Sequence, residues 1–247
     1  MIFDLTGRVA LVTGAGQNVG AGIARMLAAQ GAAVAVNDFV PERAQQIAKD
    51  IGGTAIGCPF DVTDLEAVVA GVTQVEDRLG PIDILINNAG LGGTRGMRAA
   101  PFREIEPSEW IGPVEVNLYG VMNCCKAVID GMCDRGWGRI ITISSGAGTG
   151  GVGIGVSAYS AGKGGGISFT RSMALEVARS GVTANTIAIG LMARNESEVT
   201  ARQAAAIPVG RAGKPEDVGA ACAWLASNEA AWVTAQTIEV NGGSLTT

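Results

Sequence analysis

Arg8-Val9-Ala10-Leu11-Val12-Thr13-Gly14-Ala15-Gly16-Gln17-Asn18-Val19-Gly20 is the stretch whose reading decides the fold. Its short apolar run ends in glycines and reads as a buried parallel strand. Val19 to Gln30 then carries apolar residues at helical spacing, and Gly31 is the stop. Ala33 to Asn37 is again a short apolar run. Strand, glycine turn, helix and strand make a βαβ unit. Free backbone N–H groups and the positive end of the helix dipole would face an anion at the turn. Glycine lets the backbone turn tightly and approach a pyrophosphate. The pattern G-x-G-x-x-G is not met, because Val19 stands at its last position and Gly20 follows. By itself the turn is also compatible with a merely tight strand–helix junction. Asp38, at the end of the second strand, favours a dinucleotide. A carboxylate there accepts from adenosine ribose hydroxyls and repels a 2′-phosphate. No basic residue lies in the turn, so NAD is expected over NADP.

The alternation continues outward. Thr63 with Glu66 reads as a capping box opening a helix toward Leu79. Strands are expected at Ile82–Ile86, Arg139–Ser144, Val182–Ile187 and Thr237–Val240. Helices are expected at Val114–Cys133, Ala158–Ala178 and Pro215–Ala226. No linker, charge block or repeat interrupts the 247 residues. The expectation is an α/β fold: a single doubly wound, Rossmann-type domain with a mostly parallel, seven-stranded sheet. Residues 1–145 would form its cofactor half, and 146–247 its catalytic helix and substrate lid.

Composition removes several classes. Hydrophobic residues make up 47% and charged residues 17%, which is globular. No apolar stretch has the length of a membrane span. Met1 to Arg8 lacks the pattern of a secretory signal, so a cytoplasmic protein is expected. A net charge of -5 offers no basic footprint for nucleic acid. The odd set Cys58, Cys124, Cys125, Cys133 and Cys222 has no zinc or disulfide spacing and reads as buried thiols. There is no histidine at all. That excludes His-based nucleophile pairs and His-ligated metals, and no metal is expected. Acid–base chemistry must use Tyr, Lys, Cys or a carboxylate with a shifted pKa.

Asn87-Asn88-Ala89-Gly90, Ser145 and Tyr159-Ser160-Ala161-Gly162-Lys163 resemble the short-chain dehydrogenase/reductase family, over essentially the whole chain. The turn is similar to that family's T-G-x-x-x-G-x-G, with Asn18 for the middle glycine, and Asn enters left-handed backbone more readily than most residues. The resemblance implies a dinucleotide held by Gly14, Gln17, Asn18, Val19, Gly20 and Asp38, with Asp61 and Val62 against the adenine. Asn88, Ala89 and Gly90 would lie under the cofactor, and Ile189, Gly190 and Met192 beside the nicotinamide. Tyr159 and Lys163 share one helix face. A nearby ammonium favours tyrosinate, so Tyr159 would exchange the proton of the alcohol or carbonyl, and Lys163 would also hold the nicotinamide ribose. Ser145 would hydrogen-bond the substrate oxygen. Asn117 resembles the family's asparagine that holds a water in the proton path.

The chain departs from the family pattern in places. Ser145 precedes Tyr159 by one residue more than usual, a difference the glycine-rich Gly146–Val156 absorbs; Ser144 is the alternative. Ile189-Gly190 stands where the family has Pro-Gly, and Arg194 where a Thr often holds the carboxamide. The long segment Leu91–Pro113 carries Arg95, Arg98 and Arg103. One of these, or Arg194, would contact an anionic substrate group, unless they pair with Glu104 and Glu106. The segment Gly190–Pro208 reads as a short lid. The C-terminal motifs resemble a family region that packs across a dyad, which implies a homotetramer, and Trp224 and Trp232 read as core or subunit packing.

The expected function is NAD-dependent interconversion of a secondary alcohol and a ketone by hydride transfer. One alternative is a reductase of 3-oxoacyl thioesters, against which Asp38 argues because many such relatives favour NADPH. The other is a catalytically silent NAD-binding sensor, which would have no need for Asn117, Ser145, Tyr159 and Lys163 together.

Overall fold

The computed structural model describes residues 2–91, 96–193 and 198–246. The elements run β1 (Val9–Val12), α1 (Asn18–Ala29), β2 (Ala33–Val36), α2 (Pro41–Ile51), β3 (Ile56–Gly57), α3 (Leu65–Leu79) and β4 (Ile84–Asn87). Then follow α4 (Ile111–Val114), a π-helical turn (Glu115–Tyr119), α5 (Gly120–Asp134), β5 (Gly138–Ser145) and α6 (Gly146–Thr149). The last are α7 (Ser157–Val177), β6 (Val182–Ile189), α8 (Glu198–Ala205), α9 (Pro215–Ala226) and β7 (Thr237–Val240).

The strands form one seven-stranded sheet in the order β3-β2-β1-β4-β5-β6-β7, with every neighbour parallel. Alternation along each strand sends side chains to opposite faces. Ala10 and Val12 join Ile84 and Ile86 in a core under α1 and α9, with Ile23, Leu27, Val218 and Leu225. Val9, Leu11 and Leu85 join the other core, under α3, α5 and α7, with Val68, Cys124, Val128 and Met173. Both sheet faces are buried, which is why the strands read as unbroken apolar runs.

The chain turns from building the sheet leftward to building it rightward between β1 and β4. Their carboxyl ends diverge there, and such a switch point opens a crevice. Helix α1 starts at its rim, and close contact with α9 fixes it: a Cβ on Gly22 would collide with Pro215.

Two local expectations are corrected. Asp64, not Thr63, caps α3, its carboxylate accepting from Glu66 N (3.0 Å) and Ala67 N (3.1 Å), while Thr63 Oγ1 donates to Asp61 Oδ1 (2.9 Å). Aspartate outcompetes threonine because its anionic oxygen reaches two orphan N–H groups. The expected single helix over 114–133 is α4, a π-helical turn and α5. The seventh strand, β3, is too short for its periodicity to show.

Candidate active site

The crevice holds a cavity of about 220 Å³. Thr13, just past β1, fastens its two walls together. Its Oγ1 donates to Ile86 O (3.2 Å) and accepts from Asn88 N (3.0 Å) and Ala89 N (3.1 Å). Asn88 Nδ2 donates back to Thr13 O and Gly14 O, both at 2.9 Å. The approach is so close that a Cβ on Gly14, which has φ 59°, would lie 2.7 Å from Ala89 Cα. Asn18 has φ 48°, the left-handed conformation expected of it. Gln17 places no side-chain cap on α1, and the first turn carries no acidic residue. Gln17, Asn18, Val19 and Gly20 all line the cavity, so the positive helix end opens onto it.

At the adenine end Asp38 is only 3% exposed. Its Oδ2 accepts from Gly16 N (3.2 Å) and its Oδ1 from Val40 N (3.0 Å). A Cβ on Gly16 would lie 2.6 Å from both Asp38 Oδ2 and Arg43 Cβ, so an arginine stem stands next to this carboxylate. Asn37 ties the turn to the neighbouring strand end. Its Oδ1 accepts from Gly14 N (3.3 Å) and its Nδ2 donates to Cys58 O (3.1 Å) and Phe60 O (3.0 Å). Asp61 and Val62 line the cavity beside Phe60, with Phe39.

At the other end α7 brings Tyr159 and Lys163 to the cavity wall. Lys163 Nζ lies 5.9 Å from the Tyr159 ring centroid and donates to Ile143 O (2.6 Å). Burial pushes this ammonium down to about 8, because the charged form loses its water. Glycines in α7 let the α4 segment come close: a Cβ on Gly162 would lie 2.7 Å from Pro113 O. That contact brings in Asn117, on the π-helical turn. Its Nδ2 donates to Leu91 O and Pro113 O, both at 2.7 Å, while its Oδ1 is buried with no protein partner. A Cβ on Gly90 would lie 3.0 Å from both Asn117 Oδ1 and Lys163 Nζ, so these groups converge over a residue that must lack a side chain.

Not every expected residue reaches the cavity. Asn117 stands behind its wall at Gly90. Ser145 caps α6, its Oγ accepting from Ala147 N (3.2 Å), while Ser144 lines the cavity and donates to Lys163 O (3.2 Å). Ile189 and Met192 line the cavity. Gly190 instead packs on Asn241, 2.9 Å from where its Cβ would be. Arg95 and Arg194 lie outside the described residues. Arg98 is held by Glu109, with Nε to Oε1 at 2.7 Å and Nη2 to Oε2 at 2.9 Å, and it also donates to Glu104 O. That pairing holds the Glu109 carboxyl down to about 2. Arg103 lies 3.6 Å from Glu104 and is solvated. Asn37, Phe39 and Phe60, which line the cavity, and Arg43, which stands beside Asp38, have no role in the sequence reading. Only Asn37 carried a signal, as a polar residue ending an apolar strand.

Among the described residues no cluster of Cys, Asp or Glu is arranged to hold a metal, and no helix is long and apolar enough to cross a membrane.

A family model described as short chain dehydrogenase matches residues 8–205. The chain is a short-chain dehydrogenase/reductase. This dehydrogenase/reductase is 41% identical to a 3-oxoacyl-(acyl-carrier-protein) reductase FabG of Vibrio cholerae serotype O1, over 97% of this chain and 98% of that one. It is 40% identical to an acetoacetyl-CoA reductase of Rhizobium meliloti, over 96% and 98%. A solved gluconate 5-dehydrogenase from Burkholderia cenocepacia J2315, in complex with NADP and tartrate, matches with a TM-score of 0.88 at 36% identity, covering 98% of this chain and 96% of that one. The short-chain dehydrogenase/reductase is therefore an NAD(P)-dependent oxidoreductase of a ketone or alcohol substrate.

The expectation of NAD as the cofactor is corrected by the NADP in that solved relative. Asp38 does not face the ribose alone. In the structure both its oxygens already accept backbone N–H groups of the turn and the α2 start. A basic residue also stands by the turn, because Arg43 reaches it from α2.

Proposed function

We propose that this enzyme reduces 3-oxoacyl thioesters with NADPH, as a homotetramer in the cytoplasm. The observation that carries the reading is the full-length similarity, at 41% and 40% identity, to reductases of 3-oxoacyl-(acyl-carrier-protein) and acetoacetyl-CoA. The alcohol dehydrogenase of the sequence reading has the same chemistry but a less supported substrate.

The residues fit a nicotinamide dinucleotide. The open α1 terminus suits its pyrophosphate. Arg43 beside Asp38 supplies a cation for a 2′-phosphate. Lys163, converging with Asn117 over Gly90, would hold the nicotinamide ribose. When bound, the reduced nicotinamide supplies a hydride. Tyr159 gives its hydroxyl proton to the carbonyl oxygen as that oxygen gains charge. Lys163, an ammonium below about pH 8, stabilises the tyrosinate that remains. Ser145 donates a hydrogen bond to the substrate oxygen, its hydroxyl proton being free because its oxygen only accepts from Ala147 N. Asn117 Oδ1, buried and without a partner, would accept from a water through which Tyr159 is reprotonated. The homotetramer rests on the resemblance of the C-terminal motifs to a family region that packs across a dyad.

The test is a substrate and cofactor panel read at 340 nm. Acetoacetyl-CoA, a simple cyclic ketone and a keto-sugar acid are each offered NADPH and NADH. The highest kcat/KM belongs to acetoacetyl-CoA with NADPH. A higher value for the sugar acid would move the enzyme toward the gluconate dehydrogenase and end the thioester reading.

A further inference from the structure

The segment after β7 folds back onto the active-site turn. Gly242 (φ 65°) and Gly243 (φ 86°) reverse the chain in a conformation that glycine adopts freely. Asn241 fixes the reversal. Its Nδ2 donates to Leu245 O (2.9 Å) and Glu239 Oε2 (3.0 Å), and its Oδ1 accepts from Gly243 N (2.9 Å). Ser244 Oγ donates to Asn241 O (2.7 Å). Leu245 is thereby laid on α6. A Cβ on Gly146 would lie 3.7 Å from Leu245 Cδ2, and one on Gly150 only 3.0 Å from it and 3.3 Å from Cδ1. Two glycines one helical turn apart make a notch, and the leucine fills it.

The opposite side of α6 rests on α7. A Cβ on Gly148 would lie 2.9 Å from Ser144 Oγ and 3.0 Å from the Lys163 carbonyl carbon. Helix α6 is four residues long and half glycine, too short and too weak to hold its own shape. Contacts on its two sides must do so. Its N-cap is Ser145.

We propose that Leu245 is a positioning residue for the reaction: seated on Gly146 and Gly150, it holds the Ser145 turn at its working distance from Tyr159. This rests on the reading of Ser145 as donor to the substrate oxygen. A small displacement of such a donor is enough to slow a reaction severely. Leu245 is seated on Gly146 and Gly150, neither of which lines the dinucleotide cavity, so cofactor affinity should not change with it.

The test compares Leu245→Ala and Leu245→Met with wild type in four measurements. These are kcat for acetoacetyl-CoA reduction, Kd for NADPH, thermal midpoint, and hydrogen exchange at the Ala147 amide. Leu245→Ala is expected to lower kcat by about tenfold or more. Its NADPH Kd and midpoint stay at the wild-type values, and Ala147 exchanges faster. Leu245→Met, which refills the notch, restores kcat. Wild-type kcat in Leu245→Ala, or a fall in kcat accompanied by lower NADPH affinity and a lower midpoint, overturns the positioning role. Ser145→Ala separates the two layers. If Ser145→Ala turns over like wild type, the reading of Ser145 is wrong and the role of Leu245 falls with it. If Ser145→Ala is slow but Leu245→Ala is fast, only the role of Leu245 falls.

Discussion

Replacing Lys163 with methionine should stabilise the nucleotide-free protein while abolishing its activity. Lys163 is 7% exposed and donates to one backbone oxygen, Ile143 O. Burial moves its ammonium from 10.5 to about 8. A drop of that size corresponds to about 3 kcal/mol against the charged form. The sign follows from proton counting. Between about pH 8 and 10.5 the unfolded chain holds this proton and the folded chain does not, so stability rises with pH across that window. Below about pH 8 both hold it, and the full burial cost is present. Methionine keeps the apolar stem and removes the charge. The lost charge-assisted hydrogen bond to Ile143 O costs about 2 kcal/mol, which leaves a net gain of about 1 kcal/mol at pH 7. For a chain of this size that raises the thermal midpoint by roughly 2–4 °C. Urea unfolding followed by circular dichroism, at intervals from pH 6 to 9.5, reads the difference directly. The gap between Lys163→Met and wild type should be constant up to about pH 8 and narrow above it. A variant less stable than wild type at pH 7, or a gap that ignores pH, would refute the reasoning.

Asn18→Gly should leave stability and NADPH binding nearly intact, whereas Asn18→Val, forced to φ 48°, should cost about 1–2 kcal/mol and weaken NADPH binding; unfolding and fluorescence titration check both. Arg98→Ala should leave the KM for acetoacetyl-CoA unchanged, since Arg98 is engaged by Glu109; steady-state kinetics decides it. The kcat of reduction should fall as pH rises through about 8, because the ammonium that stabilises the tyrosinate is lost there; a kcat–pH profile without that limb would contradict this role of Lys163.

The parts of the fold legible in the sequence are those with a strong local signal. β1, α1 and β2 announce themselves because strands buried on both faces are continuous apolar runs, and α9 and β7 run over the residues expected of them. β3 gave none, since two residues have no period, and α2, with only Ala44 and Ala48 buried, shows too thin an apolar face. The break in the helix at Asn117 depends on how α4 meets the glycines of α7, which is a tertiary contact. The site shows the same division. Tyr159 and Lys163 share a face by spacing alone, and Asn18 was suited to its backbone angle. Asp38 misled because its value as a cofactor selector depends on neighbours from other elements, Gly16, Val40 and Arg43. Between the adjacent Ser144 and Ser145 the strand end decides: Ser144 is buried and spends its hydroxyl proton on Lys163 O, whereas Ser145 is half-buried and its oxygen only accepts, from Ala147 N.

The most direct test of the account is the rate of NADPH consumption with acetoacetyl-CoA in wild type and Tyr159→Phe, alongside NADPH affinity for each. The account predicts steady consumption by wild type, a loss of at least about 100-fold in Tyr159→Phe, and equal NADPH affinity in the two. Consumption by Tyr159→Phe at the wild-type rate would contradict the central claim that this tyrosine supplies the proton.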